Sequence, residues 1–229
     1  MTPAARVRSV ALMPDLAAFG PALAVGLVLL VMLWFTFGTQ RNVRLGNDYL
    51  RWLQTGLPRL GRRTTLRWLG SSVVELSIQE AADPFRAATV VVALEPRDVG
   101  LLWAFARSRG RRDFVIVRAD LRRPPRFSAE LADPAGWTGG EDGGAMDGLR
   151  PVTWAPEGVI ANADAAVDEN LVRGTWERLA AETGGVWRLR IQPVVPHVEV
   201  HFRPPDIDAV PAERPLTTIH RLAIALEAR

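Results

Sequence analysis

Apolar residues run from Leu16 to Gln40 without a single charge, a stretch of 25 positions with no polar face. As a helix it would be roughly 37 Å long at about 1.5 Å per residue, against a bilayer hydrocarbon core of about 30 Å. It therefore predicts a transmembrane helix. A cleaved signal peptide would carry a shorter apolar core and a small-residue cleavage site, and neither is present. Trp34, Phe35 and Phe37 gather at the C-terminal end of the stretch, where aromatic rings favour the headgroup level. Ala18, Ala22 and Gly26 share one helical face at four-residue spacing, a small-residue series through which two such helices can approach and self-associate.

Between Asn47 and Gly56 the pattern predicts a second, short helix. Asn47 can cap it, Gly56 can end it, and Leu50, Leu53, Leu57 and Leu60 recur at helical spacing with arginines on the flanks. A helix of this kind just outside a membrane would lie in the interface. The expected membrane-surface residues are Arg41, Arg44, Tyr49, Arg51, Trp52, Arg59, Arg62, Arg63 and Arg67, facing anionic headgroups.

From Ser71 onward, short β-type runs alternate with helical ones. Residues 72 to 78, 88 to 94, 113 to 121 and 126 to 131 read as strands, and 96 to 108 as a helix with Val99, Leu102, Trp103 and Ala106 on its apolar side. Asp164 to Thr183 reads as an amphipathic helix, and the chain closes with another bearing Leu216, Ile219, Ala223 and Leu226 on one side. Between them, "WRLRIQPVVPHVEVHF" predicts a hairpin. Ile191 should face Val198, Leu189 Val200 and Trp187 Phe202, while the other side pairs Arg190 with Glu199 and Arg188 with His201.

The fold class is accordingly α+β: a single N-terminal transmembrane helix followed by a mostly antiparallel sheet with helices packed on it, in strand-strand-helix order taken three times. The expected divisions are a tail at 1–15, the transmembrane helix at 16–40, a basic juxtamembrane segment at 41–70 and a cytosolic domain at 71–229. A glycine-rich loop at 132–162 interrupts the last of these, with Trp137 and Trp154 as its packing anchors.

Charge sharpens this picture. All 28 basic residues are arginine; residues 1 to 126 carry 19 of them against 9 acids, and the remainder carries 9 against 16 acids. The positive half adjoins the apolar stretch, and Arg41, Arg44, Arg51 and Arg59 following it favour a cytoplasmic C-terminal domain. A second basic run, Arg107 to Arg126, raises a nucleic-acid alternative, but no zinc finger, RNP1 motif or KH-type loop accompanies it.

Candidate chemistry is sparse. With no lysine and no cysteine, P-loop and Schiff-base lysines, thiol nucleophiles and disulfides are all excluded. No G-x-S-x-G, G-x-G-x-x-G or H-E-x-x-H motif occurs, so no catalytic residue is assigned and no cofactor is expected. The one candidate metal set is His197, Glu199 and His201, which alternation would place on one face of a strand, opposed by Arg188 and Arg190. A non-enzymatic role is favoured: a membrane-anchored module that binds a protein partner or forms a homo-oligomer at an anionic bilayer surface. A tethered nucleic-acid binder and a membrane-anchored enzyme of unknown reaction are the alternatives.

Overall fold

The computed structural model describes residues 16–139 and 148–228. The N-terminal tail and the acidic loop residues Glu141, Asp142 and Asp147 lie outside them. The first element, α1 (Leu16–Gln54), is one helix of 39 residues. From Phe19 to Phe37 every side chain is exposed, and the helix is long and apolar enough to cross a membrane. Beyond Phe37 one face turns inward: Gly38, Asn42, Gly46, Leu50 and Leu53 are buried at three- and four-residue intervals. The break expected after Gln40 is absent, and the short helix expected at 47–56 is the continuation of α1. Gly46 costs helix propensity of about 1 kcal/mol. Packing offsets it.

That packing is close because the face is small. A Cβ on Gly38 would stand 2.2 Å from the Arg97 carbonyl oxygen, and one on Gly46 would stand 2.5 Å from the Trp68 ring. Past a 3-10 turn at Leu57–Arg59, the chain forms β1 (Thr64–Trp68), β2 (Val73–Ile78) and β3 (Phe85–Ala93), then α2 (Gly100–Ser108). Four strands follow, β4 (Phe114–Leu121), β5 (Ala129–Ala132), β6 (Arg150–Pro151) and β7 (Ile160–Ala163), then α3 (Glu169–Glu182). The chain ends with β8 (Val186–Ile191), β9 (Val198–Phe202) and α4 (Glu213–Glu227).

Among the described residues nine strands join one sheet in the order β1-β2-β3-β4-β9-β8-β5-β7-β6, and their pairings are antiparallel. The α+β class with its antiparallel sheet agrees with the sequence reading; the thrice-repeated strand-strand-helix order does not. Strand β1 has strand-forming threonines and a tryptophan but lies in an arginine-rich stretch assigned to the juxtamembrane segment, and in β7 only Ile160 of four residues favours a strand. Both form because neighbours hold them. The glycine-rich loop at 132–162 consequently contains β6 and β7.

Alternation decides the two faces of the sheet. Val74, Leu76, Val90, Val92, Val115, Val117, Val200 and Leu189 point to one side, where they share a core with Leu50 and Leu53 of α1, Val172 and Leu179 of α3, and Leu216, Ile219 and Leu222 of α4. Asp168 caps α3 by accepting a hydrogen bond from the Leu171 amide (3.1 Å). The other side of the sheet is polar. It carries a small apolar cluster of Ala93, Phe114 and Trp187, on which Trp137 packs, whereas Trp154 packs on the main core. The expected hairpin register holds for Ile191–Val198, Leu189–Val200, Arg190–Glu199 and Arg188–His201. An irregularity between Val186 and Arg188 then gives Phe202 to Val186, not to Trp187.

The glycine contacts generate a direct test. Gly38→Ala is expected to destabilise the protein by about 1–3 kcal/mol, the range for overpacking a tight contact with backbone. Gly20→Ala, where an added Cβ meets nothing within 4 Å, should leave thermal unfolding in detergent micelles unchanged or slightly raised.

Candidate functional site

The connection between β3 and α2, Leu94 to Val99, meets α1 at a buried polar knot. Asn42, fully buried, donates through Nδ2 to the Glu95 carbonyl (3.0 Å). Its Oδ1 accepts from Arg97 Nη1 (3.2 Å). Arg97 binds Asp113 in a two-pronged pair, 2.9 Å on each arm, and Asp113 also accepts from the Glu95 amide (2.7 Å). The Glu95 carboxylate, itself buried, takes Arg107 Nη1 at 3.0 Å and the Trp103 indole. Burial alone would lower the Arg97 guanidinium, but the Asp113 bonds and charge outweigh it and hold Arg97 above its ordinary value. Nearby, burial foremost, then the Asp113 carboxylate, pushes the Tyr49 phenol up to about 12.

Next to this knot, α2 lies against the exposed part of α1. Trp34 Nε1 donates to the Arg97 carbonyl (3.1 Å), and a Cβ on Gly100 would stand 2.8 Å from the Trp34 ring. Two apolar clefts of about 460 and 590 Å³ open between the helices. Leu30, Leu33, Phe37 and Arg41 line the first; Leu27, Val31, Leu101 and Ala104 line the second. Of the apolar side expected on α2, only Ala106 is buried, while Val99 and Leu102 are exposed.

A second constellation crosses the polar face of the sheet. In register from one strand to the next stand Thr65, Ser77, Thr89, Arg118, Glu199, Arg190, Glu130 and Asn162. Positive and negative groups alternate over the four central positions. Glu199 accepts from Arg118 Nε (2.8 Å) and lies 2.7 Å from His201 Nε2, whereas Arg190 pairs with Glu130 at 3.0 Å. Burial would raise the Glu199 carboxyl, but the His201 and Arg118 hydrogen bonds and charges together hold it down to about 2. Such a group is a fixed negative charge near neutrality and a poor proton donor.

The expected metal set is not assembled. His197 falls one residue before β9 and its Nδ1 accepts from the Leu121 amide (2.8 Å). Glu199 is already held by Arg118 and His201. Among the described residues no group of three His, Asp or Glu side chains could hold a metal ion.

The expected membrane-surface residues separate. Trp52 is buried, and its Nε1 donates to the Val210 carbonyl (2.7 Å); Tyr49 is half-buried and packs on the core. Trp52 is corrected to the domain interior, because the unbroken turn of α1 carries its side of the helix inward. Arg51 pairs with Asp48, Arg59 with Glu213, and Arg63 approaches Glu80 at 3.9 Å. Arg62 is exposed, and Arg67 stands on edge strand β1 opposite Glu75. Arg41 and Arg44 are exposed and follow the apolar stretch directly. Ala22 and Gly26 lie exposed on that stretch; Ala18 is in α1 but its side chain lies outside the described set.

Two features escaped the pattern. The Gly38, Asn42, Gly46 series has the same four-residue spacing as the small residues at 18, 22 and 26, and it marks where α1 docks. In α2, Leu101 and Phe105 had no place in the assigned stripe, an excess of apolar residues for a helix with one buried side.

Stability should report the Glu199 charge. Above its ordinary value of 4.5 the folded-state stabilisation is complete, and it is lost as pH falls toward about 2, since the unfolded carboxyl takes up its proton first. Denaturant unfolding in that window should lose stability more steeply for the wild type than for Glu199→Gln; equal slopes would show that the carboxylate is not held by its neighbours.

No protein-family model matches the chain, and no curated protein is significantly similar to it.

Proposed function

We propose that this chain is a single-pass membrane protein whose α+β domain, on the cytoplasmic side, serves as a protein-interaction or assembly module at the membrane surface. The observation that carries the reading is the division of α1. One half exposes apolar side chains on all sides, and the other half is part of the domain core, with no linker between them. Exposing Phe19 through Phe37 to water would leave a large apolar surface unburied, whereas a bilayer accommodates it without cost. Arg41 and Arg44 at its end support a cytoplasmic domain.

Support for an interaction role comes from the polar face of the sheet. Among the described residues no helix covers it, the second half of α1 with α3 and α4 packing on the opposite side; Trp137 lies on its Trp187 end, where Arg188 and His201 are buried, and the β2–β4 part is the open one. Thr89 and Ser77 are half-buried and Arg118 is exposed, on strands held rigidly from behind. Edge strand β1 adds an open backbone row with Leu66 exposed. The nucleic-acid alternative gains less support, because Arg51, Arg59, Arg97, Arg107, Arg118, Arg122 and Arg190 all pair with acidic groups and are less available to phosphates.

Membrane fractionation tests the anchor. The wild-type chain should stay with alkaline-washed membranes, and Val28→Arg together with Val31→Arg should release it, each charge costing about 2.5–3.5 kcal/mol at a span centre. Protease added outside intact cells should leave the domain whole. For the interaction role, photocrosslinkers placed at Ser77 and Thr89 in native membranes should give a discrete protein adduct that one at Arg178, on exposed α3, does not. No adduct from either face position would overturn that part of the reading.

A further inference from the structure

The geometry points to α2 as a second membrane contact, lying in the interfacial layer of the bilayer that α1 crosses. This rests on the reading of α1 as a span. Leu101 is 89% exposed, Phe105 55% and Leu102 49% within a helix of nine residues, and its N-cap Val99 is 47% exposed. Such a cluster is unusual for a water-facing surface helix, and among the described residues no element covers it.

What covers it is decided by where α2 sits. Trp34 and Trp103 approach with ring centroids 6.3 Å apart, and Leu101 and Ala104 share a cleft with Leu27, Leu30 and Val31. Gly100 abuts the Trp34 ring, three residues and about 5 Å of helix rise before Phe37. The apolar side of α2 is therefore continuous with the lipid-facing side of α1 near the C-terminal end of the apolar stretch. Any bilayer that surrounds α1 over its exposed length meets Leu101 and Phe105 as well.

The polar groups of this region fit the headgroup layer. From Val99 to Arg112 the chain has no acidic residue; with Arg107 taken up by Glu95, Arg109, Arg111 and Arg112 remain at the C-terminal end of α2. Arg109 stacks over the Phe105 ring at 4.4 Å, which holds a cation beside an exposed aromatic group of the helix. Of the neighbouring acids, Glu95 is paired with Arg107 and Asp113 with Arg97, while half-buried Asp98 accepts from the Ser71 hydroxyl and lines the cleft beside Val99. An anionic lipid surface therefore meets three arginines against one half-buried carboxylate. With α1 leaving the membrane on one side and α2 lying in its surface, two contacts set both the tilt of the domain and its rotation about α1.

Because the chain lacks cysteine, single labels can be placed without background. Full-length protein carrying an environment-sensitive fluorophore at Val28→Cys, Leu101→Cys, Phe105→Cys or Ala180→Cys is reconstituted in vesicles of phosphatidylcholine and phosphatidylglycerol. Nitroxide-bearing lipid and a water-soluble quencher are then compared. The labels at positions 101 and 105 should be quenched by lipid nitroxide several-fold more than the label at 180, approaching the label at 28. Quenching at 28 with 101 and 105 as accessible to the aqueous quencher as 180 would overturn the α2 contact and leave the span intact. Labels at 101 and 105 shielded from both quenchers would overturn it in favour of a protein cover. A label at 28 open to the aqueous quencher would overturn the span itself.

Discussion

The architecture depends on a junction rather than on the sheet: the place where α1 stops exposing apolar side chains and becomes part of a core. There Asn42, without solvent contact, joins the β3–α2 connection through Glu95 and Arg97, and the Arg97–Asp113 pair locks that connection to the start of β4. Buried polar groups of this kind contribute modestly when fully paired, but removing one partner of a buried ion pair costs about 3–5 kcal/mol. They therefore specify a single docking geometry. Glycines at 38 and 46 allow it by letting the helix axis approach closer than any side chain would permit.

Rigidity follows from that junction and has a functional consequence. Many anchored domains hang from a flexible linker and sample a range of heights and tilts. Here the helix that carries the apolar stretch is also a core helix of the domain, contributing Leu50, Trp52 and Leu53. The domain cannot swing without breaking α1 or pulling it out of the core. Any bilayer around the apolar half of α1 would therefore meet the domain at one fixed angle, the geometry on which the proposed assembly role relies.

The polar face illustrates how charge is arranged once a surface is fixed. Arg118, Glu199, Arg190 and Glu130 stand in cross-strand register, each flanked by the opposite sign, and His201 adds a hydrogen bond from the side. Within the hairpin alone, Glu199 stands opposite Arg190, and the two would be expected to pair. In the assembled sheet each bonds outward instead, Glu199 to β4 and Arg190 to β5. The register is as the alternation implied, yet the bonds are different, because a hairpin read by itself has no flanking strands.

Some properties were legible from local pattern because their physics is local. The long apolar stretch, the α+β character, the hairpin register up to its irregularity and the three helices of the domain all arise from periodicity within a few turns or strands of chain. The rest required the assembled fold. That α1 continues through Gly46 and Asn47, that Trp52 is buried, that β1 and β7 are strands, and that α2 stands beside Trp34 with its leucines uncovered are set by contacts between residues far apart in sequence. Local propensity does not decide these positions; a side chain's neighbours across a sheet or helix junction do not exist until the chain has folded.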